Sequence, residues 1–436
     1  MSKFGSIKLQ ISDFKKHNNI EAKDLTPRDL ERLSAKLIKV FAEVKDSRVE
    51  GRITYRLCDL LACMFLADLA GAESSSEVVD FWVSHGKLYK RIFKKATIPS
   101  HDTFRRVLGL IDSENMEEVL ACSMSKILAT LRKVLHITPS EKKIISVDGK
   151  QERGTGRKPG TSQEVKDLQI LNVYDQEDET CICSKPIEVK TNEIPTAQAI
   201  LKTLNLKNSV ITFDALNTQT ETIRTIVDKK GDYVGGLKGN QGSLHDYTIE
   251  LFDEKHLKKL ESSDSTYLKT TEVSHNRFEK RKFFLHKVTA KEKAEFSDWK
   301  NLRSIVCYVK DSTDKVTGKT TSELRTYISS LTEIEDISYC IRGHWGIENN
   351  LHWLLDTAFH EDGMHIADRN AATNQSIINK AALQVCKLAE DLSGRKQRSV
   401  RRRRKSFGWA FETNLAMLLS LMDEKSFYKA FSISAK

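Results

Sequence analysis

Two aspartates in this chain each close a short apolar, β-branched run. Ile144-Ile-Ser-Val147 leads into Asp148, and Val210-Ile-Thr-Phe213 leads into Asp214. Ligands and catalytic groups gather at the carboxyl ends of strands in open α/β sheets. Adjacent strands lie about 4.8 Å apart, so two such carboxylates can face one metal ion. Two like charges that close do not both ionise without a cation, and their pairing points to a metal. Either aspartate taken alone reads more simply as a turn residue. A third carboxylate, Glu348, lies in Ile341-Arg-Gly-His-Trp-Gly-Ile-Glu-Asn-Asn-Leu-His-Trp-Leu-Leu-Asp356. On a helix, His344, Glu348 and His352 stack at i, i+4 and i+8. Ile347, Leu351, Leu354 and Ala358 form the neighbouring apolar stripe, expected to pack on the sheet. Glu348 then borders the buried face, where a carboxylate is costly unless paired or bound to metal. Hard oxygen ligands suit Mg²⁺, with Mn²⁺ as a substitute. Two such ions, about 3.5–4 Å apart, activate a nucleophile and stabilise the leaving oxygen of a phosphodiester.

These carboxylates need a frame to bring them together. From Leu25 to Leu135 the apolar spacing is helical, clearest over Leu57 to Leu69. Pro99, then Ser100 or Asp102 as cap, predicts a helix carrying Arg105 and Arg106, which could lie against DNA or simply be solvated. Beyond Glu141 the order is three strands, helix, strand, helix, strand, an α/β pattern around a mixed sheet. The expected organisation is a flexible N-terminus (1–24), a helical associated domain (25–138) and a first part of the core (139–242). A β-rich insertion (243–335), a last part of the core with the Glu348 helix (336–392), and a basic C-terminal tail and helix (393–436) complete it.

The chain has 436 residues, with 70 Lys and Arg against 60 Asp and Glu, a net charge of +10. A basic chain of this size meets polyanions readily, nucleic acid above all, though a merely basic surface fits the charge equally. None of its eight cysteines sits in a C-x-x-C pair, so they read as reduced thiols rather than zinc ligands. His344, His352, His360 and His365 raise zinc as an alternative, but no H-E-x-x-H occurs. The N-terminus lacks an apolar signal core, and the most apolar stretch, Leu60 to Ala72, is broken by Asp68 and too short to span a bilayer. A soluble, cytoplasmic protein with no membrane contact is the expectation.

At this point the residues resemble a known family, the DDE transposases of bacterial insertion sequences, in the H-repeat-associated subgroup. The matching pieces are Ser146-Val-Asp148-Gly-Lys150 and Thr212-Phe-Asp214-Ala-Leu-Asn-Thr-Gln219. Next come Gly231-Asp-Tyr-Val-Gly-Gly-Leu-Lys238-Gly-Asn240-Gln241 and Ser274-His275-Asn-Arg277-Phe-Glu279-Lys-Arg281. The last is His344-Trp-Gly-Ile-Glu348-Asn-Asn-Leu-His-Trp353, and the likeness spans roughly residues 25–390. It implies an RNase H-like mixed sheet flanked by helices, with Asp148, Asp214 and Glu348 as catalytic metal ligands for two Mg²⁺ ions. It also implies cutting of double-stranded element ends, transfer of 3′-hydroxyl ends to target DNA, a homodimer on DNA, and association with the nucleoid. One departure stands out. Relatives often carry Arg four residues before the Glu and Lys seven after, where this chain has His344 and Leu355, so Arg342 or His344 would have to substitute in binding ends.

Lesser signals divide between DNA contact and plain structure. Lys238, followed by Asn240 and Gln241, reads as a phosphate contact or a polar turn. His275, Arg277, Glu279 and Arg281 share one face of a strand, toward DNA or in cross-strand pairs. Trp299 reads as core rather than as a support for a flipped base. Gly154 to Gly160 reads as a mobile loop and not a phosphate loop. Arg395 to Lys405 holds eight basic residues, including Arg401, Arg402, Arg403 and Arg404, and reads as a DNA backbone contact. Two alternatives to a transposase stay open: a nuclease or resolvase that cuts without joining, and a domesticated DNA-binding protein without catalysis.

Overall fold

The computed structural model describes residues 6–23, 26–157, 161–162, 164–188, 192–273, 276–392 and 399–435. The strands in chain order are β1 (Asn18–Ala22), β2 (Lys143–Glu152), β3 (Leu168–Asp175), β4 (Thr180–Ile187), β5 (Ser209–Phe213) and β6 (Asp232–Leu237). There follow β7 (Tyr267–Val273), β8 (Arg277–Lys287), β9 (Ser304–Asp314), β10 (Thr320–Ser329) and β11 (Phe431–Ala435). Nine of them form one mixed sheet in the order β4-β3-β2-β5-β6-β10-β9-β8-β7. The β2–β5 and β5–β6 pairs are parallel; the rest are antiparallel.

Side chains of period two sort the sheet into two faces. Ile145, Val147, Ile211 and Phe213 pack with Ala197, Ile200, Ile223 and Ile226, from the helices Glu193–Thr203 and Thr220–Asp228. Ile144, Val210 and Val234 face the other way, onto Ile334, Ile337, Cys340 and Ile341 of the helix Ile334–Ile347. Asp148 has the parity of Ile144, and Asp214 follows β5 with the parity of Val210. Both aspartates are thereby directed to the side of the sheet on which the Glu348 helix runs.

Segment 243–335, expected as a mostly β insertion, carries β7 to β10 and three helices, Ser243–Leu251, Glu254–Glu261 and Ala290–Glu295. Its strands continue the same sheet outward from β6 through the β6–β10 pair. Trp299 is partly buried and packs against the core of that half.

The helices before β2 do not form a core of their own. The helix Leu57–Leu69 is buried on all sides, and its residues share one apolar cluster with the helices Arg369–Leu392, Val400–Trp409 and Phe411–Ser420. Residues 7–22, read from sequence as loosely held, form the helix Ile7–His17 and strand β1; Ile7 and Ile11 are buried, and β1 pairs with β11. The C-terminal tail is likewise folded in, because Val400, Phe407, Phe411, Leu415, Leu418, Leu419 and Phe427 supply apolar faces to that cluster.

This packing corrects the reading of the arginine run. Val400, Arg403, Arg404 and Phe407 recur at i, i+3, i+4 and i+7 and are all buried. Arg404, 2% exposed, ion-pairs with Asp68 at 2.9 Å, donates to the carbonyls of Asp68, Ala72 and Ala358, and stacks on Phe359 at 4.0 Å. Arg403 donates to the Cys386 carbonyl. Neither guanidinium can meet DNA; Arg401 and Arg402 remain exposed, and Arg395, Lys396 and Arg398 lie outside the described residues. His275 and the Lys158-Pro159-Gly160 part of the expected loop lie outside them too, while Arg153–Thr155 forms a short 3₁₀ turn.

Removing Arg404 would leave the buried Asp68 carboxyl, already pushed up to about 7 by burial, without its cation and hydrogen-bond donor. Arg404→Ala should destabilise the protein by about 3–5 kcal/mol, while Arg401→Ala should cost less than about 0.5 kcal/mol. Urea unfolding midpoints of the two variants check this.

Candidate active site

Asp148 sits two residues beyond Ser146, opposite Asn172 in the β2–β3 ladder, and Asp214 follows directly on Phe213, the last residue of β5. The Ser146 and Thr212 hydroxyls face each other across the parallel pair at 2.8 Å. Gln176 donates to Ser146 at 2.7 Å, and Thr212 Oγ1 lies 3.1 Å from His344 Nδ1. Run in one direction, these donors end on His344 Nδ1, so its proton is carried on Nε2. Gly346 lets the helix approach this layer. A Cβ there would fall 2.0 Å from Gln176 Oε1, displacing the amide that starts the chain of hydrogen bonds.

Glu348 opens a π-helical turn, Glu348–His352, between the helices Ile334–Ile347 and Trp353–Ala358. Such turns mark functional sites in helices. The added residue shifts the apolar phase. Leu355 is fully buried where Leu354 was expected, and the stripe Ile347, Leu351, Leu355, Ala358 packs into the helical cluster instead of the sheet. Glu348 itself is exposed. His352 turns back to β3 and β2: Asn172 Nδ2 lies 3.1 Å from its Nε2, and its Nδ1 lies 3.6 Å from Asp148 Oδ2. Asn172 donating to Nε2 leaves the imidazole proton on Nδ1, facing the carboxylate.

Three segments far apart in sequence thus bring Asp214 and Glu348 within reach of the charge on Asp148. Burial, with the charges of Glu348, Asp214 and Glu193, pushes the Asp148 carboxyl up to about 8. Partial loss of water around Glu348, exposed though it is, also raises its carboxyl, against the pull of Arg325. Burial drives His344 down to about 4 despite Asp214, and His352 down to about 3. Both imidazoles are neutral at pH 7.

Glu193 is a fourth carboxylate that the sequence reading missed. Its Oε1 would lie 2.1 Å from a Cβ on residue 149, so any side chain directly after Asp148 would displace the Glu193 carboxylate. Asn217 Nδ2 donates to Glu193 Oε2 at 3.2 Å and to Asp214 Oδ1 at 3.4 Å, and the Asn217 backbone N–H donates to that same Asp214 oxygen at 3.1 Å. Glu193 opens a helix with no distinctive motif around it; its only signal was the glycine after Asp148. Arg325 was also missed. It stands on β10 with its guanidinium 4.6 Å from the Trp345 ring centroid, and its charge favours ionised Glu348.

The cationic candidates fare differently. Lys238 is exposed, and Asn240 and Gln241 beside it donate to the Ala215 carbonyl at 2.9 and 2.6 Å, fastening the loop that carries Asp214. Arg281 pairs with Glu272 and Glu279, and Arg342 pairs with Glu272 at 2.9 Å, so both are drawn into one surface network. Arg277 is exposed at the start of β8, in register with Asp314. His344 is held on Thr212 through Nδ1. Arg105 pairs with Asp102 at 3.2 Å, and Arg106 donates to the Asp102 carbonyl; both are exposed.

The chain matches the family model described as "Transposase DDE domain" over residues 139–385, and "DDE_Tnp_1-associated" over residues 38–123. It is 32% identical to "Putative transposase YncI" of Escherichia coli O157:H7, over 85% of this chain and 90% of that protein. It is 29% identical to "H repeat-associated putative transposase YhhI" of Escherichia coli K12, over 80% of this chain and 90% of that one. The chain belongs to the DDE transposase family, in its H-repeat-associated subgroup. Among solved structures, a piggyBac transposase in a synaptic complex with hairpin DNA matches at a TM-score of 0.36 and 13% identity, over 90% of this chain and 81% of that one, too low to argue fold from. Among the described residues of this DDE-family chain, no helix is long and apolar enough to cross a membrane.

Divalent ions fit this donor set. The converging groups are carboxylates, and burial, with neighbours of its own sign, pushes the Asp148 carboxyl up to about 8. A cation between them would remove that penalty. Among the described residues, no three His, Cys, Asp or Glu side chains are arranged to hold one ion. Mg²⁺ needs no such cage, since one or two carboxylates, water and substrate phosphates complete its shell.

The raised Asp148 pKa has a definite sign in stability. Between the ordinary carboxylate range and about 8 the folded state holds a proton that the unfolded chain releases, so this contribution is full at low pH and is lost as pH rises through about 8. In EDTA, the unfolding temperature should therefore fall from pH 5 to pH 9. Asp148→Asn should flatten that fall, and Mg²⁺ should restore stability to the wild type alone at the alkaline end.

Proposed function

We propose that this chain is a metal-dependent DNA transposase with an RNase H-like core, cutting element ends and joining their 3′-hydroxyls to target DNA. The observation that carries the reading is that Asp148 feels the charges of both Asp214 and Glu348. The order of the elements supports it: the first aspartate on the first strand of the core, the second after the fourth, and the glutamate on a later helix.

Asp148 with Asp214, and Asp148 with Glu348, would hold two Mg²⁺ or Mn²⁺ ions. Bound there, the ions supply Lewis-acid activation of the attacking oxygen and charge neutralisation on the leaving one. The chain's own residues do the rest. Asn217 fixes one oxygen of Asp214, and His352 presents a neutral imidazole N–H toward Asp148. Gln241 and Asn240 hold the Asp214 loop through the Ala215 carbonyl, and Lys238 beside them is exposed, where it would take a phosphate oxygen. Arg325, set by Trp345, adds a cation near Glu348. Water attacks the scissile phosphodiester and frees a 3′-hydroxyl, which then attacks the target strand; no covalent protein–DNA intermediate is needed. Two ends joined in concert call for a homodimer on double-stranded DNA.

Cleavage and strand transfer on labelled duplexes carrying the element ends test the reading. With Mg²⁺ or Mn²⁺ both products should form, and EDTA should abolish them. Asp214→Asn and Glu348→Gln should lose both steps while still retarding DNA in a gel. Cleavage with no joined product would point to a nuclease or resolvase, and products surviving either substitution would overturn the metal site.

A further inference from the structure

A cleft of about 630 Å³ opens between the helices before β2 and the segments that leave the catalytic elements. One wall is the helix His101–Leu110, with Arg105 and Arg106; the other holds Arg157 and residues Gly363 to Asp368. Arg157 follows the 3₁₀ turn into which β2, the Asp148 strand, runs. Gly363 to Asp368 follow the helix that continues from Glu348. The chain thus passes from both carboxylates directly into this wall.

The charges of the cleft are unevenly matched. Its acids are engaged: Asp68 and Glu73 face Arg404 at 2.9 and 4.0 Å, and Asp368 accepts the Ala371 N–H at 2.8 Å. Its exposed cations are less so. Arg106 makes one bond to a carbonyl of its own helix, and neither Arg106 nor Arg157 has an ion pair among the described residues. His101 and His365 add exposed imidazoles to the lining. Guanidinium groups brought to one cleft by two separate segments suit an extended polyanion with regularly repeated charge better than a single small anion.

We propose that this cleft seats the phosphodiester backbone of the DNA strand that leaves the carboxylate site, with Arg106 and Arg157 gripping it from either wall. The inference rests on the transposase reading above and names where its substrate runs. The backbone would be bound through phosphates and without base readout.

The test is fluorescence anisotropy of a labelled 30-base-pair duplex of mixed sequence, titrated in EDTA at several salt concentrations, with the full chain. The double variant Arg106→Ala/Arg157→Ala should bind at least about tenfold more weakly at 0.1 M salt. Its slope of log K against log salt should be shallower by about 1.8, two phosphates at about 0.9 each. The control Lys291→Ala/Lys293→Ala, on the exposed helix Ala290–Glu295, should match the wild type. Thermal unfolding should show both variants folded, since Arg106 and Arg157 are exposed. A double variant that binds with the wild-type slope overturns the cleft and leaves the transposase reading standing. A wild type that binds no duplex at all overturns that reading, and the cleft with it.

Discussion

Like charges crowd one place in this molecule, and the fold must hold them there against their repulsion. Asp148, Asp214, Glu193 and Glu348 come from four elements, and burial plus their mutual charge already shifts Asp148 far from its ordinary value. The parallel β2–β5 register fixes the first two. A slip of one residue would send one aspartate to the opposite face, among Ile145, Val147, Ile211 and Phe213. The Ser146–Thr212 contact, Asn217 and the Asn240 and Gln241 amides then secure the strand ends.

The third carboxylate depends on a different layer. The helix that bears Glu348 packs Ile334, Ile337, Cys340 and Ile341 onto the sheet, then enters a π turn and packs Ile347, Leu351 and Leu355 into the helical body. That body is built from both ends of the chain, and the buried Asp68–Arg404 pair joins the helix Leu57–Leu69 to the helix Val400–Trp409. Such a pair adds little net stability, because both ions lose their water, but losing one partner is expensive. Arg404 also donates to the carbonyl of Ala358, the last residue of the helix that continues from Glu348, so one guanidinium touches both sets of helices and that helix.

Much of this was legible in the residues. Runs such as Ser209 to Phe213 and Tyr233 to Leu237 are short, apolar and β-branched, and form strands at those places. The carboxylates were legible because each ends or interrupts an apolar pattern at a position where a charge needs a reason. What escaped depends on contacts across long stretches of chain. Glu193 has no local mark; its packing on Gly149 and the Asn217 bridge to Asp214 tie it to the site. Arg403 and Arg404 looked like part of a charge run because, of the apolar partners of their face, Val400 is a single residue inside it and Phe407 lies beyond its end. The π turn defeats an i, i+4 count, which is why Leu355 and Leu354 exchanged roles. The strands of residues 267–329 were visible as strands, but their joining to β6 is a matter of pairing, which alternation alone does not encode.

The central claim is that these carboxylates exist to hold divalent cations. Anomalous scattering from crystals grown with Mn²⁺ tests it most directly. The account predicts a peak in contact with both Asp148 and Asp214, with a second between Asp148 and Glu348 once DNA is bound. A map with no peak at Asp148, or with manganese held only by His344 and His352, would contradict it.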